Sequence, residues 1–245
     1  MPRDWDAATY DRIADPQLEW GLSVVDRLPL TGSERVLDAG CGSGRVTEAL
    51  LDRLPDGQVI ALDGSPSMVA EARRRLAGFG DRVVFVVADL LAPLPVERAV
   101  DAILSTATFH WILDHDRLFA NLARAMRPGA RLAAQCGGRG NIDSAMRALE
   151  QMGEPTAGKL FAGPEETESR LRAAGFTDVR CWLEAKPRHW PDDESFETFL
   201  RTVVLGDNIA NKAPDDADAF VHEVAHRIGS RELDYVRLNI DATRG

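Results

Sequence analysis

Cysteine is scarce in this chain of 245 residues, which has only three, with no C-x-x-C spacing among them. An odd, scattered set argues against a disulfide framework and against a structural zinc site, and it fits a reducing compartment. We therefore expect no bound metal and a cytoplasmic location.

Positive charge and long apolar runs are also missing. A net charge of −10 disfavours binding to nucleic acid, where affinity comes mainly from neutralising phosphates. No apolar run approaches the ~20 residues that cross a bilayer, and the first residues lack the basic and apolar regions of a secretory signal. The expected partner is a small molecule rather than nucleic acid or membrane, and we expect a monomer or a homodimer.

What the sequence does contain is a glycine-rich loop directly after an apolar segment. Residues 36–44 read VLDAGCGSG, with glycine at every second position from Gly40 to Gly44. Apolar residues then recur at helical spacing from Val46 onwards, which predicts a helix that begins at the last glycine. Such a loop between strand and helix lets a ligand approach bare backbone, as nucleotide-type sites require.

Two aspartates close the next two predicted strands. The strand over 58–62 ends at Asp63, and the strand over 82–88 ends at Asp89. A carboxylate at the first position can accept both ribose hydroxyls of an adenosine, and one at the second can receive the adenine amino group. Because Arg45 follows Gly44, the third glycine comes one residue too early for the G-x-G-x-x-G pattern of nicotinamide and flavin sites.

In this combination the chain resembles the class I S-adenosylmethionine-dependent methyltransferases, over roughly residues 30–185. Their D-x-G-C-G-x-G signature stands at 38–44, followed by acidic residues at the ends of strands two and three. The resemblance implies an α/β fold, a doubly wound, seven-stranded Rossmann-like sheet with an antiparallel last strand. It also implies S-adenosylmethionine as cofactor and S-adenosylhomocysteine as product. The residues expected at the cofactor are Tyr10, Asp38, Gly40, Cys41, Gly42, Asp63, Gly64, Ser65, Met68, Ala88, Asp89, Leu90, Ser105 and Thr106.

The coarse pattern along the chain divides it into four parts. Strands and helices alternate from 34 to 136, which is typical of a parallel sheet. Two amphipathic helices then separate a sixth strand, predicted over about 178–185, from a last one, predicted over about 233–240. We expect N-terminal cover helices over 1–30, a cofactor-binding core over 31–185, a helical lid over 186–232 and the final strand of the core within 233–245.

The methyl acceptor is expected beside the residues that follow strand four, since ligands of open α/β sheets lie beyond the carboxyl ends of the strands. Phe109-His110-Trp111 there is similar to the local sequence of small-molecule carboxyl methyltransferases of the trans-aconitate type. In those enzymes the tryptophan helps to hold the acceptor carboxylate. Trp20 stands where they carry a basic residue, and we expect it at the acceptor with His110 and Trp111. The favoured reaction is O-methylation of an organic acid or natural-product intermediate.

The role of His110 has two interpretations. A carboxylate nucleophile needs no base, whereas a phenol, alcohol or amine must lose a proton, which a histidine can take. His110 is therefore either a catalytic base or a residue that orients the acceptor. Methylation of nitrogen or carbon is the alternative within the same class.

Three competing interpretations come from other classes. His222-Glu223-Val224-Ala225-His226 matches the H-E-x-x-H pair of zinc proteases, but on a helix both histidines fall opposite the apolar residues and point outward. An irregular glycine loop could also belong to an NAD-binding oxidoreductase, and the chain could bind S-adenosylmethionine without catalysis.

Overall fold

One seven-stranded sheet organises the structure, a computed structural model that describes residues 15–96, 99–156 and 158–245. Its strands lie in the order β3-β2-β1-β4-β5-β9-β6. They are β1 (Arg35–Ala39), β2 (Gln58–Asp63), β3 (Val83–Val87), β4 (Val100–Thr106), β5 (Met126–Gly137), β6 (Phe176–Ala185) and β9 (Val236–Arg244). Two short strands, β7 (Arg188–His189) and β8 (Glu232–Leu233), pair with each other outside this sheet.

The direction of the strands confirms the predicted Rossmann-like fold. Strands β1 to β5 run parallel, and β9 lies antiparallel between β5 and β6. Strands β1 and β2 are buried along almost their whole length. Continuous apolar runs of this kind are expected where helices cover both faces of a parallel sheet.

Helices flank the sheet and fill the segment between β6 and β9. In the described ranges they are α1 (Asp15–Val25), α2 (Arg45–Asp52), α3 (Pro66–Arg75), α4 (His115–Ala125), α5 (Asp143–Gln151), α6 (Pro164–Ala173), α7 (Asp193–Phe199), α8 (Gly206–Ile209) and α9 (Pro214–Ile228). A π-helical turn, Leu200–Val204, joins α7 to α8. Over those same ranges, none of the helices has the length and apolarity that a membrane crossing requires.

Apolar clusters cover both faces of the sheet. Neighbouring residues of β1 point to opposite faces, and accordingly Leu37 packs with α4, while Val36 packs with α1 and α2. A third cluster brings the helices after β6 together with α5 and with Trp20 of α1. The glycine-rich loop therefore stands on a core that covers both faces of the sheet.

The last strand begins later than the sequence predicts. The predicted strand covers 233–240, whereas β9 covers Val236–Arg244. Leu233 belongs instead to β8, whose partner residue is Arg188. This small ribbon closes the helical segment on itself before the chain enters the sheet.

Candidate functional site

A cavity of about 560 Å³ opens at the carboxyl ends of the parallel strands. It lies where open α/β sheets bind ligands. Most of the residues predicted from the sequence line it: Gly40, Cys41, Gly42, Asp63, Gly64, Met68, Ala88, Asp89, Leu90, Thr106, His110 and Trp111. Segments far apart in the chain thus meet around one space.

Three of the predicted cofactor residues lie behind this wall instead of in it. Ser65 caps α3, where its Oγ accepts a hydrogen bond from the Met68 N–H at 3.3 Å. Ser105 Oγ donates to the carbonyl oxygen of Ala39 at 2.6 Å and ties β4 to β1. Asp38 is 1% exposed at the base of the loop. All three hold the backbone that forms the wall.

Trp20, predicted at the acceptor, is likewise not in the wall. Its ring packs against Tyr235, with centroids 5.1 Å apart, and lies 5.0 Å from the guanidinium of Arg237. Both of those residues line the cavity. Trp20 is therefore one layer further out than the sequence predicts. Tyr10 lies outside the described residues.

The glycine loop comes close to its neighbours at one position and is open at another. A Cβ on Gly40, which has a φ of +90°, would lie 2.0 Å from Thr108 Oγ1. A Cβ on Gly42 would meet nothing within 4 Å. Only glycine fits at Gly40, because the left-handed conformation and the contact both exclude a side chain. At Gly42 the missing side chain leaves room in the cavity.

Asp63 is bonded to the loop that precedes it in the chain. Its Oδ2 accepts from the Gly42 N–H and its Oδ1 from the Ser65 N–H, both at 2.9 Å. Burial raises the pKa of this carboxyl, and the backbone N–H groups of Ser65, Gly42 and Gly64 oppose the shift. Each carboxylate oxygen still has acceptor capacity for a ligand.

Asp38 is a buried carboxyl with one unsatisfied oxygen. Thr47 Oγ1 donates to its Oδ2 at 2.7 Å, while Oδ1 has no partner among the described residues. Burial raises the pKa of Asp38 to about 7, against the opposing Thr47 bond and with a contribution from Asp63. An unpaired buried acceptor is costly, and a donor supplied by a ligand would relieve it.

His110 presents a defined face to the cavity. Its Nδ1 accepts a hydrogen bond from the Gly137 N–H at 3.3 Å, and its ring stacks on Phe161 with centroids 5.9 Å apart. Burial lowers the pKa of His110 well below its ordinary value, and the positive charges of Arg237 and Lys159 lower it further. The ring is therefore neutral, and with Nδ1 acting as acceptor the proton is on Nε2.

Two cations that the sequence analysis did not identify line the same cavity. Arg237 is 3% exposed, and its Nε donates to Gln135 Oε1 at 3.4 Å. Lys159 Nζ donates to the carbonyl oxygen of Val204 at 3.3 Å and lies 4.8 Å from the Trp111 ring centroid. Strand alternation places Arg237 on the polar face of the last strand, which predicts a side chain exposed to solvent. In the structure Trp20, a member of the third apolar cluster, covers Arg237, and the local sequence does not indicate this burial.

The zinc-type histidine pair lies elsewhere. His222 and His226 are exposed on α9, while Phe220, Val221 and Val224 are buried, as the helical spacing predicts. His222 Nδ1 is 2.8 Å from Glu197 Oε1. The described residues contain no cluster of ligands suited to a metal ion.

Comparison with known sequences gives consistent matches. Residues 36–129 match the model of a family described as a methyltransferase domain. The chain is 39% identical over 185 residues to a trans-aconitate 2-methyltransferase of Methylobacterium nodulans, which covers 74% of this chain and 68% of that relative. It is 39% identical over 237 residues to a trans-aconitate 2-methyltransferase of Acidovorax ebreus, which covers 92% of this chain and 89% of that one.

Solved structures share the fold at lower sequence identity. Phosphoethanolamine N-methyltransferase 2 of Haemonchus contortus, solved with S-adenosylhomocysteine, aligns with a TM-score of 0.65 at 20% identity and covers 97% of this chain. This chain spans 56% of that structure. The YcgJ protein of Bacillus subtilis aligns with a TM-score of 0.66 at 16% identity, over 92% of this chain and 98% of that one.

Proposed function

The chain belongs to the class I S-adenosylmethionine-dependent methyltransferases, and from this membership we propose that it methylates a carboxylate oxygen of a small organic acid. The family excludes the alternative of an NAD-binding oxidoreductase. The proposal concerns which acceptor the cavity takes and what His110 does there.

The cavity residues fit the cofactor of this family. Gly42 leaves open space and Asp63 keeps acceptor capacity; behind the wall, Asp38 has an unsatisfied buried oxygen at the base of the loop. We assign the ribose to Asp63, the adenine edge to Asp89 and the methionine half to the loop at 38–44. When bound, S-adenosylmethionine supplies a methyl group already activated by a positively charged sulfur. The protein has to align the acceptor and exclude water.

The observation that carries the proposal is the orientation of His110. Its lone pair, on Nδ1, is directed at the Gly137 N–H, so the nitrogen that remains for the acceptor is a donor. A group in this state orients an anionic oxygen and does not remove a proton. Because a carboxylate attacks without deprotonation, the site needs no other base.

The charges nearest to His110 support the same acceptor class. The cavity as a whole carries both signs, with Asp63, Asp89 and Asp207 in its wall, but Arg237 and Lys159 are the residues whose charge acts on His110. Two cations beside the proposed orienting residue favour an anion over a protonated amine. Both curated relatives described above are named for trans-aconitate, an organic acid. We therefore choose trans-aconitate as the first acceptor to test.

The helical segment between β6 and β9 fits a cover for this acceptor. That segment contributes Val203, Val204 and Asp207 to the cavity wall. The Val204 carbonyl oxygen accepts a hydrogen bond from the Lys159 ammonium. We propose that 186–232 acts as a lid that keeps water from the acceptor, over the core at 31–185. A lid of this kind has to pack as well as cover, and its cluster with α5 provides that packing.

Two substitutions of His110 test the proposed reaction. We expect His110→Ala to lower kcat/KM for trans-aconitate by about 10- to 100-fold, the effect of losing a hydrogen bond to a charged group. His110→Gln keeps an N–H donor and has no basic nitrogen, so it should regain most of that loss. Steady-state and single-turnover rates, with calorimetry of S-adenosylhomocysteine, give the measurement.

The exposed His222→Ala serves as the matched control. If His110→Gln were as slow as His110→Ala while both bound S-adenosylhomocysteine normally, an N–H donor at position 110 would not be enough for turnover, and the proposed orienting role of His110 would be wrong.

A further inference from the structure

Asn141 is a buried amide in the cavity wall, at the end of the loop that follows β5. It is 3% exposed and lines the cavity with His110. Asn141 has no place among the residues predicted from the sequence. Its surroundings nevertheless determine what it can offer to a ligand.

One backbone contact fixes the orientation of the Asn141 amide. The Val236 N–H donates to Asn141 Oδ1 at 3.1 Å, and an N–H cannot donate to an NH₂ group. The opposite end of the amide is therefore Nδ2, which carries two N–H donors. No described residue accepts a hydrogen bond from it. Nδ2 is not among the fully buried atoms that lack a partner, so it is free to donate into the cavity that Asn141 lines.

The loop around Asn141 is held at both ends. The Asn141 N–H donates to the Gly138 carbonyl at 2.9 Å, and the Ile142 N–H donates to the Asp234 carbonyl at 3.0 Å. Ile142 has a φ of +51°, which is unfavourable for a β-branched residue. Backbone strain of this kind persists where the surroundings fix the conformation. The amide is thus in place before any ligand arrives.

Gly137 connects this amide to His110. A Cβ on Gly137 would lie 2.9 Å from Asn141 Nδ2 and 2.7 Å from Phe161 Cε1. The Gly137 N–H is the donor that binds His110 Nδ1. Nδ2 of Asn141 and Nε2 of His110 therefore belong to residues that both adjoin Gly137, where only a residue without a side chain lets them approach this closely.

We propose that Asn141 is a specificity residue that donates a hydrogen bond to the acceptor carboxylate, alongside His110. This inference rests on the proposed function. A carboxylate has two oxygens that accept several hydrogen bonds, so donors can hold it and leave a lone pair for attack. That oxygen forms the new O–CH₃ bond, the S–CH₃ bond breaks with its electrons staying on sulfur, and no proton moves. An acceptor with an N–H at this position would face the amide donor and bind poorly.

The substitution Asn141→Asp separates this role from a structural one. Aspartate is isosteric and still accepts from the Val236 N–H, but it replaces the donor by a negative oxygen. With trans-aconitate as the probe, we expect KM to rise about 10-fold or more, with little change in kcat. The Kd for S-adenosylhomocysteine and the melting temperature should stay at wild-type values.

Two further variants complete the test. Asn211→Asp makes the same charge change at an exposed position and should leave KM unchanged. Asn141→Leu loses the Val236 contact as well as the donor, so it should raise KM and also lower the melting temperature.

Each outcome decides a different point. Wild-type KM in Asn141→Asp, with normal turnover of the acid, would overturn the role of Asn141 and leave the proposed function intact. A rise in KM accompanied by weaker S-adenosylhomocysteine binding and a lower melting temperature would make Asn141 structural and also overturn it. If the wild type bound S-adenosylhomocysteine but methylated no carboxylic acid, the proposed function would fail and this inference with it.

Discussion

Asp63 shows how one side chain serves both the fold and the ligand. It holds the Gly42 and Ser65 N–H groups and lines the cavity. Its position was predicted from the sequence because a strand end followed by a carboxylate is a local pattern. The bond to Gly42 was not, since it depends on how β1 and β2 align side by side.

We expect Asp63→Ala to weaken binding of S-adenosylhomocysteine by about 1–3 kcal/mol, because polar ribose groups lose their acceptor. Calorimetry measures this directly. Asp56→Ala, at an exposed position on the opposite edge of the sheet, is the control. Equal affinity in the Asp63 variant and the wild type would remove Asp63 from the cofactor site.

The residues around the acceptor were harder to predict for a physical reason. His110 could be identified because it follows strand four directly. Asn141, Lys159 and Arg237 come from three other segments, and only the packing of α1, α5 and the helices between β6 and β9 brings them to one cavity. Hydrophobic periodicity within one segment cannot predict burial that depends on packing between segments distant in the sequence.

At the scale of elements, two glycines of the glycine-rich loop have different roles: Gly40 is needed for packing, and Gly42 faces the cavity. Gly40 has no room for a Cβ beside Thr108, whereas Gly42 has open space. Both have positive φ values, so alanine is strained at either position by about 1–2 kcal/mol. The two alanine substitutions therefore differ mainly in the contact with Thr108, which only a side chain at position 40 would make.

Gly40→Ala should therefore lower the melting temperature far more than Gly42→Ala, for which about 2–8 °C is expected. Gly42→Ala should instead fold but bind S-adenosylhomocysteine more weakly, since its new methyl group enters the cavity. Thermal unfolding and calorimetry of the two variants provide the comparison. The assignment would be wrong if Gly42→Ala bound normally or if Gly40→Ala kept wild-type stability.

The β5–β9 pair illustrates what strand register adds. Gln135 stands opposite Asn239, and its Nε2 donates to Asn239 Oδ1 at 2.9 Å while its Oε1 accepts from Arg237. Arg27, just after α1, donates to the same Asn239 oxygen at 2.7 Å. These hydrogen bonds hold Arg237 in the cavity wall from behind. The sequence predicts the strands but not which polar residues face each other.

At the scale of the whole molecule, stability depends on pH through Asp38. Its folded pKa of about 7 is above the ordinary value of about 3.9, so the folded state favours the protonated form. Protonated Asp38 therefore contributes to the free energy of unfolding. This contribution is fully present below about pH 4 and is lost as the pH rises to about 7, which lowers the free energy of unfolding by up to about 4 kcal/mol.

We expect Asp38→Asn to remove this pH dependence in the cofactor-free protein. Relative to wild type, the variant should become more stable as the pH rises from 4 to 8, with a larger free energy of unfolding, because it has no buried carboxyl to ionise. Urea unfolding at several pH values measures the difference, and Thr47→Val, which removes only the donor to Asp38, should leave the sign of the slope unchanged. Identical pH profiles for Asp38→Asn and the wild type would contradict the assignment.

The architecture as a whole was predictable because its signals are local and repeated. Apolar strands, helical spacing and the glycine loop fixed β1 to β5 and the type of sheet. The start of β9 was harder to predict. Leu233 has the sequence character of a strand residue, but it belongs to β8, where it pairs with Arg188 outside the main sheet. Alternating polar residues in β9 also hide the fact that both of its faces are covered.

The central position of β9 has a consequence for synthesis on the ribosome. Because β9 lies between β5 and β6, those two strands each keep an open edge until it emerges, the last of the seven to be made. At typical translation rates of about 5–20 residues per second, the roughly 60 residues after β6 take about 3–12 seconds. During that interval both strands present unpaired backbone groups, β5 along one edge and β6 along both, which leaves them open to pairing with another chain. Arg237 arrives with the same strand, so the sheet is completed and the cavity gains this cation in a single step.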